Sequence, residues 1–419
     1  MKQHELIPHL FRTEHSKITA VLCKLFGTAH IETAEDIVSE TFMQALETWP
    51  YKGIPENPVA WLYHVAKNKA RNYITRQHIF SGKVAGKVKD DSPLSEEMEI
   101  DLSEKNITDS RLQMLFAICH PSIPVEAQIG LSLRILCGFG IDEIANAFLS
   151  NRETITKRLM RAREKLRVEK IEIVFPGDRE IDQRLDTVLT TLYLLFNEGY
   201  YSETQDSVLR EDLCLEAMRL TYMLIENSKT NRPDANALLA LMCFHSSRFA
   251  ARRSGQGEII LYNEQDESLW SQDLIAKGMF HLKTASQGTK LSKYHLEANI
   301  AYWHTVKTDS KEKWEKILMF FNLLLQIEYS PIAALNRTYA LSKVHGKEEA
   351  IRQAEKLKLD GNHFYFTLLG ALYKGIDEEK SIANYNKAMQ LAKTSPDKEV
   401  IKRALRSSPG SPTAPGGAS

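Results

Sequence analysis

Residues 115–167 constrain the fold most strongly, because their pattern is typical of a helix-turn-helix that ends in a basic helix. Apolar residues at i, i+3, i+4 and i+7 complete one face of a short helix: Ile141, Ile144, Ala145 and Phe148. After a break at 149–151, Ser150 and Glu153 have the spacing of a capping box and predict the start of the next helix. The same spacing predicts the buried side of that second helix: Ile155, Leu159, Ala162 and Leu166.

The second helix is strongly basic. Residues 152–170 hold eight basic and three acidic side chains, a net charge of +5. A helix that is packed on one face and cationic on the other suits the major groove of DNA, where phosphates attract it and side chains read base edges. The competing interpretation is a solvated basic helix in an ordinary helical bundle.

Charge is unevenly distributed along the chain. The 419 residues carry a formal net charge of zero, which argues against a uniformly basic protein that coats nucleic acid. Residues 57–89 nevertheless hold seven Lys or Arg and no acid, whereas residues 90–104 hold seven acids and no base. The length is sufficient for two to four domains.

Membrane, metal and disulfide signals are weak. The N-terminus has no apolar signal core, and no apolar run approaches the roughly 18 residues that span a bilayer, so we expect a cytoplasmic protein without a membrane partner. Five widely spaced cysteines without a CxxC pair predict buried, reduced thiols. No ligand set has metal-binding spacing, and we expect neither a metal nor a cofactor.

The apolar spacing is helical almost throughout and predicts an all-α fold. We expect a first helical domain at 1–80, a flexible acidic linker at 81–108, and the helix-turn-helix domain at 109–170. A larger helical region follows at 180–405, and residues 406–419 have the composition of a disordered tail.

The first domain contains an acidic helix, predicted to begin at Thr33 and to close at Trp49-Pro50. One face of this helix carries Asp36, Glu40, Met43 and Glu47. The opposite face is predicted to be apolar: Val38, Phe42, Ala45, Leu46 and Trp49. The acidic stripe is either a solvated surface or a docking site for a basic partner helix.

The next helix is predicted to start at Asn57-Pro58, an N-cap followed by proline at the first helical position. Aromatic, amide and cationic side chains share one side of this helix: Trp61, His64, Lys67, Asn68, Arg71 and Asn72. Together they offer what single-stranded nucleic acid needs, namely stacking, base-edge hydrogen bonds and phosphate contacts. Alternatively, Trp61 is a core residue and the remainder form a wet face.

The order of these signals resembles the layout of a sigma-70 family initiation factor. Residues 34–42 (Ala-Glu-Asp-Ile-Val-Ser-Glu-Thr-Phe) resemble the second conserved sigma region, which binds core RNA polymerase. Residues 57–68 resemble the adjoining segment that captures the opened −10 strand, and residues 140–167 resemble the fourth region, which reads the −35 element. The absence of a long third region is typical of the extracytoplasmic-function subfamily.

This resemblance implies roles for particular residues. It implies contacts with core polymerase from Asp36, Glu40, Phe42 and Glu47. It implies contacts with the −10 strand from Trp61, His64, Lys67, Asn68, Arg71 and Asn72. It implies contacts with the −35 duplex from Thr154, Thr156, Lys157, Arg158 and Arg161.

The region after residue 170 resembles a subgroup whose sigma domains are fused to a helical extension with tetratricopeptide-like repeats. The segments 115–121, 194–200, 240–242, 264–270 and 330–337 carry that resemblance. Within 366–388, the spacing of Phe366, Gly370, Tyr385 and Ala388 approximates a tetratricopeptide repeat. We expect this extension to contact the sigma domains and to restrain or support them.

Acidic residues in the extension raise the question of catalysis. Glu198, Glu264 and Asp266 are candidates for acid–base chemistry, but no nucleophile, phosphate loop or metal set accompanies them. Structural capping or interdomain hydrogen bonding is the favoured interpretation, ligand sensing is the alternative, and we do not expect an enzyme. Arg248, Arg252 and Arg253 are candidates for an internal charge network with these acids. The leading hypothesis is a promoter-specificity subunit with its own regulatory domain. The alternative is a helix-turn-helix regulator with a repeat sensor domain that acts without polymerase.

Overall fold

The apolar spacing of the chain is realised as helices. A computed structural model describes residues 3–84, 100–148, 150–200, 210–252, 260 and 262–406, and in these ranges all regular secondary structure is helical. The predicted all-α class is therefore confirmed. The described residues up to Leu194 cluster into one unit, and those from Leu195 onward cluster into a second.

The first unit contains seven helices and the larger part of an eighth, which continues into the second unit. They are α1 (Gln3–Phe26), α2 (Ile31–Lys52), α3 (Pro58–Val84), α4 (Glu104–Ile118), α5 (Val125–Leu131), α6 (Ile141–Ala147), α7 (Arg152–Val168) and α8 (Ile181–Tyr200). A π-helical turn, Ser132–Leu136, extends α5. Helix α1 packs on α2, α3 and α4, so the two predicted sigma-like parts share one unit.

Several helix ends differ from the predicted ones. Helix α2 begins at Ile31 rather than Thr33, and it runs through Pro50 to Lys52. Gly53 ends it with φ of 83°, and its N–H bonds to the Trp49 carbonyl. A proline in the last turn is tolerated because it lacks only a single N–H donor, and the glycine can adopt the left-handed conformation that stops the helix.

The cap of α7 is also displaced by one residue. Asn151, not Ser150, is the N-cap, and its Oδ1 accepts from the Thr154 N–H at 2.7 Å. Asparagine and serine are equally good N-cap residues. The position of Glu153 three residues after Ser150 therefore did not identify which of the two caps the helix. The predicted cap of α3 is confirmed, because Asn57 Oδ1 accepts from the Ala60 N–H at 3.0 Å.

The predicted linker at 81–108 lies partly inside helices, since α3 runs to Val84 and α4 begins at Glu104. Ile100 and Leu102 are buried and anchor the approach to α4. Residues 85–99 of the linker and the predicted tail from residue 407 lie outside the described residues.

The second unit consists of successive helices that pack on their neighbours. After the end of α8 come α9 (Glu211–Glu226), α10 (Pro233–Ser246), α11 (Gln272–Ala285), α12 (Lys293–Trp303), α13 (Lys311–Ile327), α14 (Pro331–His345), α15 (Lys347–Leu357), α16 (His363–Tyr373), α17 (Glu378–Leu391) and α18 (Ser395–Arg406). Neighbours in sequence from α9 to α18 contact one another. This is the arrangement expected of stacked helix pairs.

The tightest helix pair, α16 with α17, shows why its residues are small. A Cβ atom on Gly370 would lie 2.9 Å from the ring of Tyr385, so only glycine allows this approach. Ser381, which is buried, donates its hydroxyl to the Gly370 carbonyl at 2.8 Å.

In the described part of the chain, no helix is both long enough and apolar enough to cross a bilayer. The predicted burial of the five cysteines is confirmed, and all five are free thiols. Burial raises the pKa of Cys119, Cys214 and Cys243 to about 12.

Candidate functional site

The acidic face of α2 is exposed. Asp36, Glu40 and Glu47 all point away from the core, and Met43 between them is 54% exposed. Glu40 also pairs with Lys69 of α3 at 2.9 Å. The predicted stripe therefore exists as one continuous surface of the first unit.

Two residues from the predicted apolar face of α2, Phe42 and Leu46, differ in exposure. Phe42 was predicted to contact polymerase, but it is only 3% exposed and packs edge-on against Phe11 with ring centroids 5.1 Å apart. It supports the acidic face from below and has almost no exposed surface in this conformation. Leu46, expected in the core, is 48% exposed beside Glu47. The outer face of α2 is thus mixed acidic and apolar, a composition suited to protein docking.

The polar face of α3 gathers the residues predicted to contact single-stranded nucleic acid. His64, Asn68 and Asn72 are exposed and follow one another at intervals of four residues. The Asn68 amide and the His64 Nε2 are 2.9 Å apart, within hydrogen-bond distance. Lys67 and Arg71 are partly exposed on the adjoining side of the helix.

Trp61 is partly a core residue and partly an exposed surface, the two alternatives that its sequence context left open. Its ring lies edge-on to Trp49 at a centroid distance of 5.4 Å, and it is only partly buried. Trp49 is 2% exposed and belongs to the core. One edge of Trp61 is therefore fixed by packing, while part of its surface remains accessible for stacking.

The approach to α4 lies near this face. Asp101 accepts hydrogen bonds from the Ser103 N–H and hydroxyl, and these bonds lower the pKa of the Asp101 carboxyl, with a smaller contribution from Lys67. Tyr63 of α3 donates its hydroxyl to Glu14 at 2.7 Å. Acidic groups are thus already close to the cationic side of α3.

Helix α7 has the buried and the exposed face that its sequence predicts. Its buried residues are Ile155, Leu159, Ala162 and Leu166. Thr154, Thr156, Lys157 and Arg161 are exposed, whereas Arg158 is partly buried with its guanidinium 5.7 Å from the centroid of the Phe148 ring.

The exposed groups of α7 have only weak internal partners. Lys157 pairs with Glu153 at 2.6 Å, and both side chains are more than half exposed. Such surface pairs contribute little to stability, so a phosphate can replace the carboxylate at small cost. Gly130 of α5 permits the close approach of α7, because a Cβ atom there would lie 2.9 Å from Leu159 Cδ2.

A buried ion-pair cluster joins the two halves of the first unit, and the sequence interpretation missed it. Glu35 of α2 is 5% exposed. It accepts from Arg134 Nε at 2.8 Å and from the Arg163 guanidinium of α7. Arg163 also lies 3.7 Å from the Glu32 carboxylate. We call Glu35, Arg134 and Arg163 the Glu35 clamp. Its only signal in the sequence is a carboxylate at a core position of α2, three residues before Val38.

A hydroxyl contact strengthens the same junction. Thr28, just before α2, donates its hydroxyl to the Ile171 carbonyl after α7 at 2.8 Å. Helices α2 and α7 are therefore joined in this conformation by a buried charge cluster and by the Thr28 hydroxyl bond beside it.

The acidic residues of the second unit occupy separate environments. Burial raises the pKa of Glu198, and Arg210 opposes that shift. Asp266 caps a short 3-10 turn by accepting from the Ser268 N–H at 2.9 Å, and Glu264 is exposed near Arg403 at 3.8 Å. These roles are those of capping and surface pairing. Among the described residues, Arg248 forms no ion pair with these acids, and Arg253 of the predicted charge network lies outside those residues.

Two models of known protein families match separate parts of the chain. A family model described as Sigma-70 region 2 matches residues 10–78, and one described as Family of unknown function (DUF6596) matches residues 184–286. The chain is 30% identical to Uncharacterized protein R00370 of Rhizobium meliloti (strain 1021) over 381 residues, 90% of each protein. The chain belongs to the same family as that protein.

A second relative matches only the N-terminal part. The ECF RNA polymerase sigma-E factor of Haemophilus influenzae (strain ATCC 51907 / DSM 11121 / KW20 / Rd) is 25% identical over 139 residues, 31% of this chain and 70% of that protein. No solved structure matches the chain. The region 2 match spans α2 and most of α3, the helices that carry the acidic and the polar faces, and supports a sigma-factor-like role.

Proposed function

We propose that the protein is a sigma factor of the extracytoplasmic-function kind, which directs core RNA polymerase to specific promoters, with a regulatory C-terminal unit. The observation that carries this proposal is the exposed acidic and apolar face of α2 beside the polar face of α3, both within the segment that matches Sigma-70 region 2. A regulator that binds only duplex DNA needs neither surface.

In this proposal the α2 face docks on polymerase. Asp36, Glu40 and Glu47 supply charge for a basic partner surface, while Met43 and Leu46 supply apolar area that is already exposed. Apolar side chains ringed by charges are the usual composition of a protein interface. Lys69 would release Glu40 when a partner cation replaces it.

The DNA contacts divide between α3 and α7. Trp61 offers a stacking surface, Asn68 and Asn72 offer base-edge hydrogen bonds, and Arg71 offers a phosphate contact to an opened −10 strand. Lys157 and Arg161, one helical turn apart on the exposed side of α7, would enter the −35 major groove with Thr154, Thr156 and Arg158 beside them. Binding energy alone would open the duplex.

The size of the first unit imposes a conformational change on this mechanism. A globular body of 194 residues has a radius of gyration of about 16 Å, which corresponds to a diameter of about 42 Å. Elements centred at −35 and −10 lie about 25 base pairs apart, or about 85 Å at about 3.4 Å per base pair. The α3 and α7 surfaces cannot reach both elements while the Glu35 clamp is closed. We infer that the clamp opens during promoter binding.

We propose that the second unit regulates this opening and that its helix pairs are tetratricopeptide-like. A chain that ends at Leu194 tests whether the second unit restrains or supports activity. This end point keeps Arg184 and Thr191, which donate hydrogen bonds to the Phe116 carbonyl at 2.6 Å and to the Gln128 side chain at 2.6 Å. Higher activity of the shortened chain would mean restraint, and lost activity would mean support.

The test of the main proposal is transcription in vitro with purified core polymerase on a library of promoter fragments. We expect protein-dependent transcripts that share an upstream and a downstream element. The double variant Asp36→Asn/Glu47→Gln should bind core polymerase at least about tenfold more weakly, because it loses charge at a docking surface. Glu172→Gln, which removes an exposed acid elsewhere in the first unit, is the matched control and should bind normally.

Two outcomes would reject the proposal. Sequence-specific binding to duplex DNA without any association with core polymerase would identify a helix-turn-helix regulator instead. Equal binding by the double variant and by Glu172→Gln would show that the α2 face is not the docking surface.

A further inference from the structure

The second unit buries a cation without a carboxylate partner. Arg248, directly after α10, is 7% exposed. Its guanidinium lies 5.5 Å from the centroid of the Tyr262 ring, and it donates to the Tyr200 hydroxyl at 3.4 Å. In the ranges that the structure describes, Arg248 forms no ion pair, and its buried Nε has no acceptor. A buried charge is normally paired, so this arrangement requires an explanation.

A second buried cation contacts the Tyr262 side chain. Lys313 of α13 is 2% exposed, and its ammonium donates to the Tyr262 hydroxyl at 3.0 Å and to the Val306 carbonyl at 2.8 Å. The Tyr262 hydroxyl in turn donates to the His304 carbonyl at 3.0 Å. Burial lowers the pKa of Lys313. Asp309 and Glu267 oppose that shift, while Arg248 adds a smaller lowering, so the two cations repel each other.

A third donor faces the same ring. Trp270 is 3% exposed and stacks near-parallel to Tyr262, with centroids 6.3 Å apart. Its buried Nε1 has no acceptor in the described part of the chain. Around Tyr262 the described residues therefore place two buried cations and two N–H donors, Arg248 Nε and Trp270 Nε1, that have no acceptor.

The neighbouring carboxylates Asp309 and Glu267 act on Lys313 by raising its pKa, but in the described part of the chain neither forms an ion pair with Lys313 or Arg248. Asp309 is about two-thirds exposed, and its oxygens are engaged by the Trp314 indole N–H and by Lys343 at 3.9 Å. Glu267 pairs with Lys307 at 3.7 Å. Both face solvent-exposed cations rather than Arg248.

We propose that Arg248, Lys313 and Trp270 form a binding site for a small oxyanion, the phosphate or carboxylate group of a small molecule. An acceptor-only group with several oxygens would satisfy the guanidinium fork and the indole N–H together, and it would relieve the repulsion between the two cations. The proposal concerns binding by the second unit and does not depend on the sigma-factor role.

The first experiment is a thermal-denaturation titration of the full-length protein in phosphate-free buffer, with calorimetry to measure affinity. Inorganic phosphate and acetate are separate probes, and sodium chloride at equal ionic strength is the control. We expect at least one probe to raise the melting temperature saturably beyond chloride. Stabilisation by phosphate only or by acetate only distinguishes the two ligand chemistries.

Three variants connect the effect to the site. Arg248→Met and Lys313→Met should weaken binding at least about thirtyfold, as expected when one member of a buried charge contact is removed. Lys316→Met removes an exposed lysine one turn further along α13 and should bind as the unaltered protein does. Near-ultraviolet circular dichroism checks that each variant folds.

The proposal is overturned if neither probe stabilises the unaltered protein beyond chloride, or if Arg248→Met and Lys316→Met respond equally. Should Arg248→Met not fold, Tyr262→Phe provides the second test. It removes only the hydroxyl that positions Lys313, so affinity should still fall, and unchanged affinity would contradict the assigned site.

Discussion

The Glu35 clamp makes the most direct prediction, because one substitution should shift the first unit from closed to open. Glu35→Gln keeps the shape of the side chain and removes its charge. The side chains of Arg134 and Arg163 are only 22% and 17% exposed. In the closed unit of the variant, both would lack their main carboxylate partner. In an open unit both guanidiniums would be hydrated, so the substitution acts almost entirely on the closed state.

The magnitude follows from the cost of an unpaired buried charge. Removing one partner of a buried ion pair costs about 3–5 kcal/mol. At about 1.4 kcal/mol per factor of ten, the ratio of open to closed molecules should rise by about two to about three and a half orders of magnitude. The Thr28 hydroxyl bond contributes only about 1 kcal/mol, so the packing of α1 on α4 is the main contact that remains between the two parts.

Fluorescence energy transfer measures the change. Dyes at Tyr51→Cys in α2 and Met160→Cys in α7 report the junction, because Tyr51 is 90% and Met160 55% exposed. The native cysteines are buried and should not react. We expect low transfer efficiency in Glu35→Gln without DNA, together with tighter promoter binding, since the energetic cost of opening is already met.

Glu143→Gln is the matched control. Glu143 of α6 pairs with Arg12 of α1 at 3.8 Å across the same two parts of the unit, but both side chains are exposed. A surface pair contributes at most about 1 kcal/mol, so this variant should stay closed. If Glu35→Gln and Glu143→Gln give equal transfer efficiencies, the buried clamp does not hold the unit closed and the reasoning fails.

Three further predictions concern the first unit. Burial, and to a smaller extent Arg134, lower the pKa of His15 to about 4, so the unfolded state takes up a proton at higher pH than the folded state does. Acidification from pH 7 to pH 5 should therefore lower the free energy of unfolding by about 2 kcal/mol. His15→Gln should not show this loss when unfolding is measured with urea. Gly130→Ala should destabilise by about 1–3 kcal/mol, because its methyl group would press on Leu159; an unchanged denaturation midpoint would contradict the close packing of α5 on α7. Lys157→Met should lower the slope of log affinity against log salt for promoter duplex by about 1, and an unchanged slope would place that lysine away from the phosphates.

The sequence predicted features that depend on local periodicity. The buried and exposed sides of α7 follow directly from the 3.6-residue repeat, and so does the exposed stripe of Asp36, Glu40 and Glu47. Phe42 shows the limit of the inference, because a motif identifies a conserved position without saying whether it contacts the partner or supports the residues that do. Its burial against Phe11 became visible only when α1 was in place.

Features that depend on distant residues could not be predicted. Glu35 meets partners 99 and 128 residues later in the chain, and no local pattern connects them. Helical spacing places Glu35 on the buried side of α2, which implies that it has some partner but does not name it. The same holds for Arg248, whose excess charge appears only when α10, α13 and the Tyr262 segment come together.

The two buried arginine sites differ in a way that separates structural from ligand-binding roles. Arg163 is paired within the chain, so replacing it alone with methionine removes one of the two cations that bond to Glu35 and should destabilise the closed unit. In the described part of the chain Arg248 has no carboxylate partner, so Arg248→Met should leave the anion-free protein as stable or make it more stable, because it removes a charge that is costly to bury. Opposite signs of these two substitutions, measured in the same phosphate-free buffer, would show that one arginine holds the fold together while the other is retained at a cost in stability. A residue retained at such a cost is best explained by what it binds.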